Sequence, residues 1–379
     1  MDFSSVKTIV SRGNKFVDWK GNLLLDVPYD DFEARYGAPY YLVHRADLVR
    51  LLVETAQKSK NICIHMDSRV SSYAFDAPAI TLVDGRTFRS DVLVCADGIK
   101  SSVRDTINGR PLPPRDTGDV AYRILVPAKN LLEDPQMAHL VEQPWAVHWM
   151  GPEGHAVGYP LRNGELYNII IDVTRSSDRG EFLPPDGSQV WKSARTNEEL
   201  VDRFRDWCPE VRKLCAMTGE YLKWRLADFD QLDSWVHESG NACLLGDACH
   251  PMMPYMAQGA AQATEDAASL AAALRHSPSV SEALRLYERL RKPRATYITR
   301  NTRVLQEWLH LHDGPAREKR DQMMQIDGEE NPIFWGHSAR KDWLFRFDAS
   351  RLDDQGQIPL LPSMPPKAAR VYTGQKASL

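Results

Sequence analysis

The most constraining feature of the sequence is the string 243–267, which joins an apolar segment to an alanine-rich one. The apolar segment, 243–245, predicts a buried strand, and the stretch 260–274 predicts a helix. Between them lie a Gly-Asp pair and a loop bounded by prolines. A buried strand that passes through a short loop into a helix is typical of an α/β domain.

Gly246 and Asp247 stand at the carboxyl end of the predicted strand, where open α/β sheets bind ligands. Gly246 lets a ligand approach the backbone closely, and the Asp247 carboxylate can accept hydrogen bonds from sugar-like hydroxyls. Gly259 and Ala260 begin the helix without bulky side chains, so its free N–H groups would face a ligand that becomes anionic. The alternative is an acidic turn before a core helix. The complete string, rather than Gly-Asp alone, favours the ligand site.

A second string places Asp97 and Gly98 directly after an apolar run, 91–96, that predicts a strand buried on both faces. The two residues occupy a strand-to-helix corner, and Ser101 or Ser102 can cap the next helix. Arg104 can position an anionic phosphate or form a surface ion pair. The order of strand, corner and helix favours a binding role for the corner.

Arg45 lies in the segment 41–48, where residues 44–47 begin a predicted helix. The planar guanidinium donates hydrogen bonds in fixed directions, which suits contact with a phosphate or an aromatic ring. In isolation such an arginine is more often a solvated helix end.

The rest of the chain alternates predicted strands and helices around a block of β structure. The predicted strands are 8–10, 15–19, 23–25, 62–64, 79–83, 86–88, 120–126, 145–150, 155–161, 166–173 and 222–226. A capping box at 196–199 predicts a helix through Trp207, and 281–311 predicts a long helix with a kink at Pro293. Beyond Gln355 the chain is rich in proline, which predicts a loose tail. This order indicates an α/β domain with an interleaved antiparallel β domain.

The three motifs together resemble the group A FAD-dependent aromatic monooxygenases, specifically the salicylate hydroxylase-like members of fungal type. The resemblance covers about 7–350. It implies that Asp247, after Gly246, binds the ribityl chain of FAD and that Gly259 and Ala260 lie against the flavin. It also implies that Asp97 and Gly98 serve both FAD and NAD(P)H and that Arg45 contacts FAD. These cofactor roles are assigned to Arg45, Asp97, Gly98, Gly246, Asp247, Gly259 and Ala260.

Arg123 follows the Asp-Gly motif at the distance where related fungal enzymes carry an arginine assigned to the active site. Only the pair Tyr122-Arg123 supports a catalytic role here, so an outward-facing strand residue remains an equal alternative. In this family the β block would wall the substrate pocket, but none of its aromatic and histidine residues is assigned as a catalytic base.

The resemblance implies an FAD-binding domain of the glutathione reductase-like Rossmann type with C-terminal helices. The expected division is 1–118 for a partial FAD-binding domain, 119–235 for a β-sheet substrate domain, 236–312 for the second part of the FAD-binding domain, and 313–379 for a helical extension and tail. Relatives begin with a Gly-x-Gly-x-x-Gly turn that holds the pyrophosphate. This sequence contains no such fingerprint, which suggests that the first βαβ unit is missing and leaves FAD affinity open.

The implied function is an FAD-dependent, NAD(P)H-consuming monooxygenase that hydroxylates a small aromatic or phenolic substrate with molecular oxygen, through a flavin C4a-hydroperoxide. Two alternatives remain. One is a different flavin reaction on the same scaffold, such as epoxidation or halogenation. The other is an inactive fragment or pseudoenzyme that is unable to hold FAD.

Composition narrows the partners and the compartment. The formal net charge of −4 gives no basic surface for nucleic acid, and no apolar run reaches the length that a membrane span needs. The six cysteines are scattered without metal-ligand spacing, which favours reduced thiols in a cytoplasmic protein without a metal. The oligomeric state is not predicted.

Overall fold

The computed structural model describes residues 3–174, 192–194 and 196–352. In these residues the chain forms fifteen strands and eleven α-helices. The strands are β1 Ile9–Val10, β2 Gly13–Asp18, β3 Leu23–Pro28, β4 Tyr41–Leu42, β5 Val70–Ala74, β6 Ala79–Leu82, β7 Thr87–Arg89, β8 Leu93–Cys95, β9 Arg115–Pro127, β10 Trp145–Gly151, β11 Gly154–Leu161, β12 Leu166–Thr174, β13 Lys192–Ala194, β14 Tyr221–Asp228 and β15 Ala242–Leu244. The helices are α1 Phe32–Tyr36, α2 Arg45–Gln57, α3 Val103–Asn108, α4 Ala128–Leu132, α5 His139–Glu142, α6 Glu198–Arg203, α7 Pro209–Ala216, α8 Gly259–His276, α9 Val280–Leu309, α10 Pro315–Met324 and α11 Ser338–Phe345.

Eight strands form the largest sheet, in the order β13-β14-β9-β12-β11-β10-β2-β3. All neighbours are antiparallel except β10 and β2, which run parallel. The sheet therefore combines the predicted β block with two strands from residues 13–28, a range that the sequence assigns to the first domain. The division into domains remains a proposal.

The two faces of this sheet differ in polarity because side chains alternate along each strand. On β9, Tyr122 and Ile124 join the apolar cluster that packs against α6 and α7. Asp119 and Arg123 point to the opposite face. Strand register places a set of polar residues on this second face, which we call the polar sheet face: Asn14, Asp119, Arg123, His148, His155, Asn168 and Asp172.

The polar sheet face is covered by the loop after β15 and by α9. Met253 and Tyr255 of the loop share an apolar cluster with Phe16 of β2 and Ile298 of α9. The Tyr255 hydroxyl donates a hydrogen bond to Asp119. The loop that follows Gly246 and Asp247 is thus attached to the sheet.

The two motif strings each predict a strand, and these strands, β8 and β15, form a separate parallel pair. The prediction that the first of these strands is buried on both faces is wrong, because Val94 is 42% exposed. The strand predicted at 62–64 is also wrong. Its apolar residues favour a strand locally, but no strand in the described part of the chain runs beside them, and Ile62 and Ile64 are exposed.

One helix prediction needs correction. The capping box at 196–199 does not form, because the Glu199 carboxylate instead accepts hydrogen bonds from Lys223 at 2.7 Å and from Tyr122. The helix begins at Glu198 and ends at Arg203, before the predicted end at Trp207. Helix α9 extends on both sides of Pro293, and the kink expected there stays a prediction. The predicted loose tail beyond Gln355 lies outside the described residues, and no helix within them is long and apolar enough to span a membrane.

Three histidines are buried at the polar sheet face. His148 stacks on Phe16 with ring centroids 4.4 Å apart, and burial lowers its pKa to about 3. His155 and His310 share a hydrogen bond of 2.7 Å between Nδ1 and Nε2. Burial lowers the pKa of both and so favours their neutral forms, and the ring that accepts this hydrogen bond must be neutral.

We expect the buried histidines to make folding sensitive to acid. Below pH 6.5 the unfolded chain binds protons at His148 that the folded chain does not, so stability falls as pH falls. The substitution His148→Gln should reduce the loss of unfolding free energy between pH 7.5 and pH 5 by about 2 kcal/mol. Urea unfolding of both proteins at the two pH values measures this difference. Burial raises the pKa of Asp172, so that residue stabilises the fold as pH falls, but it does so equally in the wild type and the variant. Equal losses in the two proteins would contradict the prediction.

Candidate functional site

The two motif corners lie at one edge of the parallel pair. Strands β8 and β15 end side by side, with Leu244 opposite Cys95, and the Leu245 N–H donates to the Cys95 carbonyl at 3.1 Å. Asp97-Gly98 and Gly246-Asp247 therefore leave the sheet at the same edge, with both aspartates exposed. Both glycines have positive φ, +81° and +62° respectively, a conformation that glycine adopts without steric cost.

Arg104 connects the two corners from below. Its side chain is buried beneath them and donates to the carbonyls of Ile99 at 3.1 Å and Ala248 at 2.8 Å. Its guanidinium lies 3.7 Å from the centre of the Phe229 ring. Arg104 thus forms neither the phosphate contact nor the surface ion pair that the sequence suggested. It holds together two loops that are far apart in the sequence.

Helix α8 places Gly259 and Ala260 beside this edge. The helix packs closely against the Gly-Asp loop, since a Cβ on Gly246 would lie 3.2 Å from the Cβ of Ala263. At the helix start, a Cβ on Gly259 would meet nothing within 4 Å, and Ala260 is exposed. The edge therefore offers exposed carboxylates for hydroxyl groups and an open helix start for a group that gains negative charge, as a flavin would need.

Sequence reasoning missed a buried network behind the Gly-Asp loop. Asp266 accepts hydrogen bonds from the Gly246 N–H at 3.0 Å and from Arg291 Nε at 2.8 Å, and it contacts His250 Nε2 at 2.6 Å. His250 and Asp266 both belong to the motif string, but no pattern in the sequence pairs them with Arg291.

The same network contains three potential metal ligands, Cys249, His250 and Asp266, with ligand atoms within 4.8 Å of one another. Both oxygens of Asp266 already accept hydrogen bonds, and the positive charge of Arg291 lies beside them. A cation would have to displace these contacts and would be repelled, so the cluster is a poor metal site.

Arg45 and Arg123 both line a cavity of about 730 Å³, which lies between helix α2 and the polar sheet face. Its lining comprises His44, Arg45, Ala46, Val49, Arg50, Val53, Glu54, Arg123, Leu125, Glu220, Tyr221 and Leu222. Within the described part of the chain, neither Arg45 nor Arg123 forms a hydrogen bond or an ion pair. This lining includes none of the residues of the two motif corners, so the predicted site residues form two groups.

The cavity has a positive bias. Its lining carries three arginines, Arg45, Arg50 and Arg123, against two carboxylates, Glu54 and Glu220. Glu54 lies 4.0 Å from Arg50, and within the described part of the chain neither carboxylate forms an ion pair with Arg45 or Arg123. The Nδ1 atom of His44 is buried without a hydrogen-bond partner, and burial lowers the pKa of this side chain. Two unpaired guanidiniums on opposite walls suit an anionic ligand.

We expect Arg104 to be essential for the stability of the two corners. The substitution Arg104→Met leaves several buried carbonyls without a donor and should lower the free energy of unfolding by about 2–4 kcal/mol. The matched control is Arg110→Met, because Arg110 pairs with Asp233 at an exposed position and should contribute less than about 0.5 kcal/mol. Urea unfolding measures both variants, and equal losses would contradict this role.

Comparison with known proteins assigns the family. The family model described as "FAD binding domain" matches residues 29–302. The FAD-dependent monooxygenase OpS4 of Beauveria bassiana is 32% identical over 334 residues, which cover 86% of this chain and 76% of that protein. The 3-hydroxybenzoate 6-hydroxylase 1 of Aquipseudomonas alcaligenes is 32% identical over 77% of this chain and 70% of its own length.

A solved structure of a salicylate hydroxylase substrate complex superposes with a TM-score of 0.72 and 28% sequence identity, and covers 89% of this chain and 81% of that one. The predicted α/β fold, the FAD cofactor and the flavin monooxygenase class are thereby confirmed. The chain belongs to the FAD binding domain family, among the FAD-dependent aromatic monooxygenases that resemble salicylate hydroxylase.

Proposed function

We propose that this monooxygenase consumes NAD(P)H and oxygen to hydroxylate a small aromatic ring that carries an acidic group. The observation that carries the proposal is Arg123, which lines the cavity and forms no hydrogen bond or ion pair within the described part of the chain. FAD, when bound, supplies the redox chemistry, which includes oxidation of the nicotinamide and activation of oxygen. The protein's contribution is to bind the flavin and the substrate and to keep water away.

The flavin would be held at the edge where β8 and β15 end. Asp247 is proposed to accept hydrogen bonds from the ribityl hydroxyls, and Gly246 allows the chain to approach them. Asp97 and Gly98 would serve the shared nucleotide corner. Gly259 and Ala260 would direct backbone N–H groups at the flavin, and Arg45 would contact FAD from the cavity wall. The exposure of Asp97, Asp247 and Ala260 supports these roles because all three are accessible to a ligand.

Arg123 is proposed to bind the acidic group of the substrate. Strand alternation directs it to the polar sheet face, where it lines the cavity and has no carboxylate partner, which favours the active-site role over a solvated strand residue. The names of two relatives, 3-hydroxybenzoate 6-hydroxylase and 3-amino-4-hydroxybenzoate 2-monooxygenase, refer to aromatic acids.

All six cysteines are free, which supports a reducing, cytoplasmic compartment for this protein.

The cofactor assignment is tested by titrating the purified chain with FAD and following flavin fluorescence. The substitution Asp247→Ala removes a charge-assisted acceptor and should raise the Kd for FAD at least tenfold, which corresponds to about 1.4 kcal/mol. Asp91→Ala, at another exposed aspartate near β8, should leave the Kd unchanged. Absence of FAD binding by the wild-type chain at high micromolar concentration would refute the cofactor assignment.

The substrate assignment is tested by NAD(P)H oxidation and product analysis with paired substrates. We expect Arg123→Met to raise the KM for 3-hydroxybenzoate at least tenfold, because the carboxylate loses its counter-charge. The KM for the neutral 3-hydroxybenzyl alcohol should stay within about twofold, since that molecule never made the contact.

The control variant is Arg205→Met, which removes an arginine that pairs with Asp202 at the surface. A KM increase of equal size for the acid and the alcohol would show that Arg123 shapes the cavity without recognising charge.

A further inference from the structure

Asp266 is completely buried on α8, about two turns after the helix begins at Gly259, and uses both of its carboxylate oxygens. Its Oδ2 atom accepts from the Gly246 N–H at 3.0 Å and lies 2.6 Å from His250 Nε2. Its Oδ1 atom accepts from Arg291 Nε at 2.8 Å. Burial alone would raise the pKa of Asp266, but His250 and Arg291 outweigh this effect and lower it, so the carboxylate is ionised.

The contact with Gly246 occurs where the chain leaves the sheet. The Leu245 N–H still donates to a strand neighbour, the carbonyl of Cys95, whereas the next N–H, that of Gly246, donates to Asp266. Gly246 has a φ of +62°, which turns the chain at this point. The direction in which Asp247 leaves the corner therefore depends on a carboxylate located 20 residues further along the chain.

Glu265 belongs to the same network but does not touch the corner. It accepts hydrogen bonds from Arg291 at 2.5 Å and from Arg294 at 2.7 Å. Both arginines belong to α9 and flank Pro293, so Glu265 joins α8 to α9. Both carboxylates accept a hydrogen bond from Arg291 of α9, but only Asp266 also accepts one from the corner, at the Gly246 N–H.

We propose that Asp266 is a positioning residue for FAD binding, which fixes the Gly246 N–H and thereby aims the Asp247 carboxylate at the ribityl chain. Glu265, in contrast, serves only to hold the two helices together. The inference rests on the proposed cofactor role of Asp247 and adds to it the group that sets the conformation of the corner.

The test compares Asp266→Asn with the matched control Glu265→Gln. Both substitutions remove one charge from the network, but only the first one weakens the acceptor for Gly246. We expect Asp266→Asn to raise the Kd for FAD at least tenfold, and Glu265→Gln to change it less than twofold, at a temperature where both variants are folded. Asp266→Glu, which restores the charge but displaces the carboxylate, should give an intermediate Kd and tests the role if the asparagine variant fails to fold.

Backbone hydrogen exchange in the flavin-free chain gives a second readout. The Gly246 amide should exchange faster in Asp266→Asn than in the wild type, and at the wild-type rate in Glu265→Gln. Unchanged exchange, or wild-type FAD affinity in Asp266→Asn, would overturn the inference. The inference would also be overturned if both variants lost FAD affinity in proportion to their loss of Tm.

The failure of the proposed function gives a different pattern. If the wild-type chain binds no FAD, the cofactor role of Asp247 is wrong and the positioning of a flavin is wrong with it. If the wild type binds FAD and Asp266→Asn binds it equally well, the proposed function stands and the inference about Asp266 falls.

Discussion

Buried arginines hold this structure together at the points where its elements meet. Arg104, Arg291, Arg294, Arg320 and Arg340 are almost completely inaccessible to solvent. Each one donates to backbone carbonyls or buried carboxylates, as Arg294 does to the carbonyls of Trp343 and Leu344. A buried guanidinium without acceptors would be very costly, so each arginine strongly favours the arrangement in which its acceptors converge. The motif corners, α8, α9 and the C-terminal helix are joined in this way.

The large sheet gives the second organising constraint, because its two faces serve different purposes. One face supplies the apolar core beneath α6 and α7, and the other carries polar groups toward the loop after β15 and α9. Tyr122 and Arg123 are neighbours in the sequence, but one packs in the core and the other lines the cavity. Because successive side chains of β9 point to opposite faces, this one strand contributes both to the apolar core and to the candidate substrate site.

The parts of the site that are continuous in the sequence could be predicted, and the parts that depend on distant contacts could not. Gly246-Asp247 and Gly259 follow from one string, because strand, turn and helix signals are local. The partners of Arg104 lie up to 144 residues away, and no local pattern encodes them. The capping box fails for the same reason, since Glu199 of α6 accepts a hydrogen bond from Lys223, which lies on the distant strand β14. The apolar segment 62–64 shows the reverse case, a local strand preference without a neighbouring strand.

The hydrogen bond from Tyr255 to Asp119 divides the polar sheet face into two regions with different freedom to vary in evolution. At the Asp119 end, the Thr174 hydroxyl donates to the same carboxylate at 2.8 Å, and His310 contacts that hydroxyl, so a change there disturbs several elements at once. Further along β9, Arg123 and Leu125 line the cavity. Evolution can thus exchange side chains at the cavity end, the candidate substrate site, with little disturbance to the fold, while the end that anchors the loop after β15 stays constant.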